Sequence, residues 1–386
     1  MAGLGPFGPA PALAVGVSGG PHSLALVLLA RNWVAARGGR VLALVADHGL
    51  RPESGAEAAG VAARLAGLGI PARVLPLGLT AGPGLHERAR AARLSALLET
   101  AEAGGAPWLL LGHHRADQAE TVAFRALRGS GPDGLAGMAM ARPAGGALIL
   151  RPLLGVAPGE IEAFLAKRGL APVRDPSNSD PRFARARLRR VLGDPGGEGA
   201  GVAALAAAAD AFALRRARMR AAVAARLAGA AQFYETGWAR LDRAELGSDA
   251  VAEAALSALV RALGGGAHPP GRAAVAALLA RGGGSLGGAV WRGAVIAREP
   301  ARCAPPIPAR PGTLWDARWH VVAAPKGSWI GVWGTDGARG ARRGGLPALV
   351  AAGLPAIRDA EGRLVAVPAL DGGAQLEFRP VSGAIA

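Results

Sequence analysis

The stretch Ala12-Leu13-Ala14-Val15-Gly16-Val17-Ser18-Gly19-Gly20-Pro21-His22-Ser23-Leu24-Ala25-Leu26-Val27-Leu28-Leu29 decides the fold. An apolar run enters a glycine turn and leaves as a second apolar run, which reads as strand, turn and helix start. Gly19 and Gly20 allow positive φ and close backbone approach. Ser18 and Ser23 bring hydroxyls. The first amides of the following helix have no partner within it and point into the turn. Such a turn is an anion cradle, and a nucleotide phosphate is the anion it suits. The spacing is neither G-x-x-x-x-G-K-[ST] nor G-x-G-x-x-G. Taken alone, the loop is also consistent with a tight turn that holds no ligand.

Outward from this turn, short apolar runs alternate with helical patterns as far as residue 155. Strands are expected at Leu13–Val17, Val41–Ala46, Ala72–Leu77, Trp108–Gly112 and Ala147–Leu150. Helices are expected at Ser23–Ala36, Ser54–Leu68, Glu87–Ala103 and Asp117–Arg128. This alternation predicts an α/β fold with a doubly wound, Rossmann-like parallel sheet. In such sheets the ligand lies beyond the carboxyl ends of the strands. Residues 1–192 read as this catalytic domain, 202–281 as a helical domain rich in alanine and arginine, and 289–386 as a small mixed C-terminal domain. The glycine-rich stretches Gly193–Gly201 and Gly282–Gly288 read as the boundaries.

The chain has 386 residues and a net charge of +16, and 44 of its residues are lysine or arginine. Only Lys167 and Lys326 are lysines, so 42 are arginines, whose forks pair bidentately with phosphate. That balance suits a polyanionic partner such as nucleic acid. The one cysteine, Cys303, excludes a disulfide framework, a zinc finger and a CxxC redox pair, and fits a reducing cytoplasm. No apolar stretch is long enough to span a bilayer, so no membrane association is expected.

Polar clusters follow the expected strands. The second strand runs into Asp47-His48-Gly49-Leu50-Arg51-Pro52-Glu53-Ser54, which suits nucleotide contact and also reads as a loop with Ser54 as helix N-cap. The fourth runs into Gly112-His113-His114-Arg115-Ala116-Asp117-Gln118-Ala119-Glu120-Thr121. Asp117 and Glu120 lie three apart on a helix and share a face. There they could hold Mg²⁺ or a cationic substrate, or simply favour the helix dipole. Arg125 to Gly131 forms a basic helix end closed by glycines. Farther on, an Asp175-Pro176-Ser177-Asn178 turn precedes five arginines in nine residues, Arg182 to Arg190. Charges that dense repel one another unless an anion such as a phosphate backbone neutralises them.

The glycine turn resembles the S-G-G-x-D-S loop of the N-type ATP pyrophosphatases, with His22 in place of the acid. Five ordered motifs, GVSGGPHS, DHGLRPES, GHHRADQAET, RGSGPDGLAGM and DPSNSD, together resemble the tRNA(Ile)-lysidine synthase family. Arg151-Pro152-Leu153-Leu154 and the Ala89-Arg90 helix also match its pattern. The resemblance is strong over residues 12–192 and faint beyond.

The resemblance implies an ATP-dependent enzyme that adenylates the wobble cytidine of tRNA(Ile) with a CAU anticodon, after which L-lysine attacks and expels AMP. It implies that Ser18, Gly19, Gly20, Pro21, His22 and Ser23 hold the ATP phosphates, with His48 beside the nucleotide. It further implies that Asp47 serves as a catalytic and Mg²⁺-binding acid, and that His113 and His114 line the adenylation site. Asp117 and Glu120 would hold the incoming lysine. Arg51, Arg90, Arg185, Arg187 and Arg189 would contact tRNA or nucleotide. Mg²⁺ prefers oxygen ligands, so His22 is the main departure from the pattern. A sister tRNA thiolase needs paired cysteines and is excluded by the single one. A non-catalytic basic tRNA-binding protein with a degenerate nucleotide loop is the alternative of a different class. The sequence leaves open whether the chain forms a homodimer.

Overall fold

The structure, a computed structural model, describes all residues except 2, 81, 145, 172–183, 195, 335–338, 340–342 and 384–386. The chain divides into two compact units, Met1–Arg216 and Ala217–Ala386.

In the first unit the strands are β1 (Ala12–Gly16), β2 (Arg40–Asp47), β3 (Ala72–Pro76), β4 (Trp108–Leu110), β5 (Ala141–Ala144) and β6 (Ala147–Leu150). The helices are α1 (Pro21–Ala35), α2 (Ser54–Gly67), α3 (Leu85–Ala103), α4 (Arg115–Leu127), α5 (Pro132–Leu135), α6 (Pro158–Ala166) and α7 (Ala184–Leu192). The sheet order is β3-β2-β1-β4-β6-β5, parallel throughout except for the β5–β6 pair. This is the doubly wound sheet expected from the alternation. Successive β1 side chains show why it is covered on both faces. Leu13 and Val15 enter one core with Leu24, Leu28, Leu65 and Leu165 of α1, α2 and α6. Ala14 enters the opposite core with Leu97 and Ala101 of α3. Strands buried on both sides lose the polar alternation of a half-exposed strand, which explains their near-continuous apolar runs.

β5 was not expected. Its sequence, Ala-Arg-Pro-Ala, has no apolar alternation, and Pro143 cannot donate to a ladder. It survives because it is the outermost strand, where a missing donor is tolerated.

The long helix α8 (Ala200–Ala230) begins inside the expected Gly193–Gly201 boundary and runs into the second unit. The next elements are β7 (Ala231–Tyr234), β8 (Trp238–Leu241), α9 (Arg243–Leu246), α10 (Ala250–Gly264), α11 (Arg272–Arg281), β9 (Gly284–Leu286), β10 (Ala289–Arg292) and β11 (Val295–Arg298). These five strands form one antiparallel sheet, β7-β8-β11-β10-β9, packed on α10 and α11. Residues 202–281, expected to be helical, thus contribute two strands as well. Gly282–Gly288 is no linker: it holds the left-handed C-cap of α11 at Gly282, all of β9, and the turn into β10. The rest of the unit builds two small sheets, from β12 (Ile307–Pro308), β13 (Leu314–Trp315), β14 (Trp319–Ala323), β15 (Trp329–Val332), β16 (Pro355–Arg358), β17 (Leu364–Ala366) and β18 (Gln375–Phe378). Their orders are β12-β15-β16-β17 and β13-β14-β18. Two short helices, α12 (Ala348–Ala352) and α13 (Pro368–Asp371), complete it.

A buried charge cluster ties this unit together. Asp316 accepts from Arg298 Nε at 3.0 Å and Nη2 at 2.6 Å, from Arg318 Nη2 at 2.6 Å, and from the Ala304 amide at 2.9 Å. Arg298 also donates to the carbonyls of Gly264, Gly288 and Arg302. Asp316 and Ala317 sit in the left-handed region, at φ 52° and 54°. One carboxylate therefore fixes a tight hairpin turn to the end of α10, the β9–β10 turn and the segment after β11.

Candidate active site

The glycine turn has the geometry its sequence promised. Gly19 takes φ 81°, and Gly20 is the N-cap of α1 with no side chain capping the helix. Pro21 opens the helix, where its missing amide costs nothing. Ser23 ties the turn from inside: its hydroxyl accepts from the Ser18 amide at 3.1 Å and donates to the Gly20 carbonyl at 3.0 Å. Ser18 Oγ lies 3.2 Å from Ser23 Oγ, on the exposed side. The first-turn amides of α1 remain uncapped by side chains, which is what an anion site needs.

Behind the turn lies the start of α4. Gly112 packs so closely that a Cβ there would sit 3.1 Å from the carbonyl carbon of His22 and from the Ser23 amide nitrogen. The His22 ring meets that of His114 edge to face, with centroids 4.0 Å apart. His114 is the N-cap of α4. Its Nδ1 accepts from the Asp117 amide at 3.4 Å, while Asp117 Oδ2 accepts from the His114 amide at 3.1 Å, a reciprocal capping box. Asp117 Oδ2 is also 3.3 Å from His114 Nε2. The dipole-and-cap role that an acid in a first turn suggests is therefore real.

Asp117 and Glu120 do share a face, and both meet Arg189 of α7. Arg189 Nε donates to Glu120 Oε1, and Nη2 reaches Glu120 Oε2 at 3.3 Å and Asp117 Oδ1 at 3.5 Å. Glu120 is only 2% exposed. These contacts join His22, His114, Asp117, Glu120 and Arg189 in one chain of neighbours.

All three histidines are pushed down to about 4, first of all by burial. The neighbouring His114 adds to the effect at His22, and Arg189 adds to it at His114. The rings are neutral at pH 7. His22 Nε2 and His113 Nδ1 are buried with no hydrogen-bond partner among the described residues. An orphaned polar atom of this kind calls for a partner such as a water, an ion or a ligand. The same burial makes stability depend on pH. In the unfolded chain each imidazole titrates near 6.5, and in the folded one near 4, so between these values only the unfolded state takes up the proton. Stability is therefore lost as pH falls through that window. Thermal melts should show a lower Tm at pH 5 than at pH 7.5, with a smaller drop in His113→Gln. Equal pH dependence in that variant and the parent would refute the burial account.

Asp47, His48 and Arg51 form a separate cluster at the carboxyl end of β2. Asp47 Oδ1 accepts from Ser54 Oγ at 2.6 Å and from the Gly49 amide at 3.0 Å. The Ser54 hydroxyl first, then the Gly49 amide, hold the carboxyl below its usual range. Ser54 is thus not the N-cap of α2. Glu53 holds that position, and the hydroxyl serves Asp47 instead. His48 Nδ1 accepts from the Leu50 amide at 3.3 Å, and Arg51 pairs with Glu57 at 3.1 Å. Arg90 is exposed on α3 and Arg187 on α7. The side chain of Arg185 and the whole Asp-Pro-Ser-Asn turn lie outside the described residues.

Sequence reasoning missed three clamps behind the site. Gln118 donates to the Met138 carbonyl at 3.0 Å and accepts its amide at 2.8 Å. Arg125 donates to the carbonyls of Gly134 and Gly137, both at 2.8 Å. Arg151 donates to the Ala139 carbonyl at 2.8 Å. Gly137 sits at φ 60°, and a Cβ there would fall 2.6 Å from Gln118 Oε1. Gly134 and the segment Gly137–Ala139 are thereby bolted to α4 and to Arg151, the residue after β6. Of the basic helix end, Arg125 is spent on carbonyls.

A family model described as a PP-loop domain matches residues 6–194. A tRNA(Ile)-lysidine synthase of Methylobacterium sp. (strain 4-46) is 45% identical over 275 residues, covering 70% of this chain and 79% of that protein. The chain belongs to the tRNA(Ile)-lysidine synthase family. A second member, from Ruegeria pomeroyi, is 35% identical over 96% of this chain and 88% of its own. A third, from Rhodopseudomonas palustris, is 43% identical over 58% of this chain and 64% of its own. The turn, the capping box and the acid pair described above all fall within the PP-loop match.

Proposed function

We propose that this chain is an ATP-dependent ligase that converts the wobble cytidine of a CAU-anticodon tRNA(Ile) to lysidine. The cytidine O2 attacks the α-phosphorus of ATP and diphosphate leaves. The ε-amine of L-lysine then adds at C2, and the C–O bond breaks to release AMP. No protein nucleophile is needed, so the protein contributes positioning and charge.

The observation that carries this reading is the packing of the uncapped phosphate turn directly against the helix that bears Asp117 and Glu120. Phosphates gripped by Ser18, the Gly19–Gly20 turn and the first amides of α1 lie beside carboxylates suited to an ammonium group. Asp117 and Glu120 hold the lysine and take up the proton that its amine must shed. His113 and neutral His114 line the adenylation site, and His22 Nε2, buried without a partner among the described residues, is available to a ligand atom.

ATP-dependent ligation implies Mg²⁺. Among the described residues no cluster of three or more His, Cys, Asp or Glu could cage a metal. Mg²⁺ does not need one, since it keeps several waters and binds through one or two carboxylates plus phosphate. Asp47, kept ionised by Ser54 and Gly49, fits as that carboxylate. When bound, the ion would neutralise charge on the departing diphosphate.

The purified protein with ATP, Mg²⁺, L-lysine and the tRNA should release AMP and yield lysidine in nucleoside mass spectrometry, and omitting lysine should stop lysidine formation. tRNA binding with no AMP above background would favour the non-catalytic tRNA-binding alternative.

A further inference from the structure

The geometry points to Arg189 as a built-in rival for the amine site, an inference that rests on reading Asp117 and Glu120 as the lysine seat. A carboxylate as buried as Glu120 stays ionised only with a cation against it. Arg189 supplies that cation, spreading its fork over both Glu120 oxygens and reaching Asp117. The guanidinium thus lies on the oxygens that the incoming ammonium must use. The two cations carry the same charge and cannot both be satisfied there.

The pair is asymmetric in a way that favours exchange. Glu120 is fixed inside at 2% exposure, whereas the Arg189 side chain is 43% exposed. The arginine head can leave for water without opening the core, and the acid stays in place for another cation. The partners lie 69 residues apart on different helices, so this contact is tertiary and not a local helix pair.

The rivalry raises the affinity that any amine needs in order to enter. A simple ammonium offers one charge against a bidentate fork and loses. Lysine carries a second amine and a carboxylate, whose contacts elsewhere in the site repay the exchange. Arg189 therefore raises the threshold for entry and keeps small amines off the activated cytidine.

Equilibrium binding of L-lysine to the full chain tests this. If the site is blocked about four-fifths of the time, its apparent affinity is reduced roughly 5-fold. Arg189→Ala should lower the Kd for lysine by about that factor, and that for n-butylamine by the same factor. Guanidinium ion, added well below denaturing concentration, should reverse the gain by reoccupying the gap. An unchanged or higher Kd for lysine in Arg189→Ala would overturn the inference. Should that variant fail to fold, Arg189→Lys, whose single head cannot cover both acids, should still lower the Kd, and no decrease would overturn it. Glu120→Gln separates the two levels of argument. Lysine binding as in the parent protein would remove the amine seat itself, whereas weakened binding leaves the seat standing and the rivalry to be judged on the Arg189 variants.

Discussion

Asp316→Ala should unfold the second unit or destabilise it by about 3–5 kcal/mol, the usual result of removing one partner from a buried ion pair. The loss is large because Asp316 serves two guanidiniums. Arg318 is 1% exposed and Arg298 8%, so neither can turn to water when the carboxylate goes. Both charges would remain close together without a counter-charge. Burial already pulls the Arg318 pKa down, as expected of a charge held inside at a cost. The turn would suffer as well: Asp316 and Ala317 hold left-handed backbone that non-glycine residues seldom adopt. Trp315 and Trp319 flank this turn and are buried, so their fluorescence reports directly on its integrity. Urea titration followed by that signal should show a clear fall in midpoint. A change below about 1 kcal/mol would mean that solvent reaches the arginines more readily than their burial indicates.

Asp117→Asn should impair use of lysine far more than use of ATP. Truncating the charge of a buried, hydrogen-bonded pair costs about 2–5 kcal/mol, roughly 30- to 4,000-fold in kcat/KM at 1.4 kcal/mol per tenfold. Asparagine keeps an oxygen for the His114 amide, so the N-terminus of α4 should survive and the melting temperature should move little. What disappears is the negative charge facing the ammonium and Arg189. The KM for lysine should rise steeply while the KM for ATP stays near that of the parent. A variant with normal KM for lysine would show that Asp117 is a cap and nothing more.

Much of the first unit was legible in sequence because its elements are specified locally. The glycine turn, the apolar runs on either side of it, and the helix starts after β2 and β4 each carry their own signal. So does the sharing of a face by Asp117 and Glu120, which follows from helical spacing. Contacts made over long sequence distance left no such mark. Nothing in the arginine-rich segment says that Arg189 returns to Glu120. Nor does the basic end of α4 reveal that Arg125 is consumed by the carbonyls of Gly134 and Gly137. The second unit was harder to read for a related reason. β7 (Ala-Gln-Phe-Tyr) and β8 (Trp-Ala-Arg-Leu) have four residues each, too few to establish a period against the alanine-rich helices around them. β7 pairs with β8, and β8 is held in the sheet by β11, more than fifty residues on, which no local window contains.

The close approach of Gly112 to the backbone of His22 and Ser23 has a mechanical consequence. A methyl group in that crevice would wedge the glycine turn away from the start of α4. With only hydrogen there, the turn and the helix that bears Asp117 and Glu120 share a common foundation, and a displacement of one is transmitted to the other. On the proposed reading, the distance between bound triphosphate and lysine is then set by the framework itself, not left to two independently wandering loops.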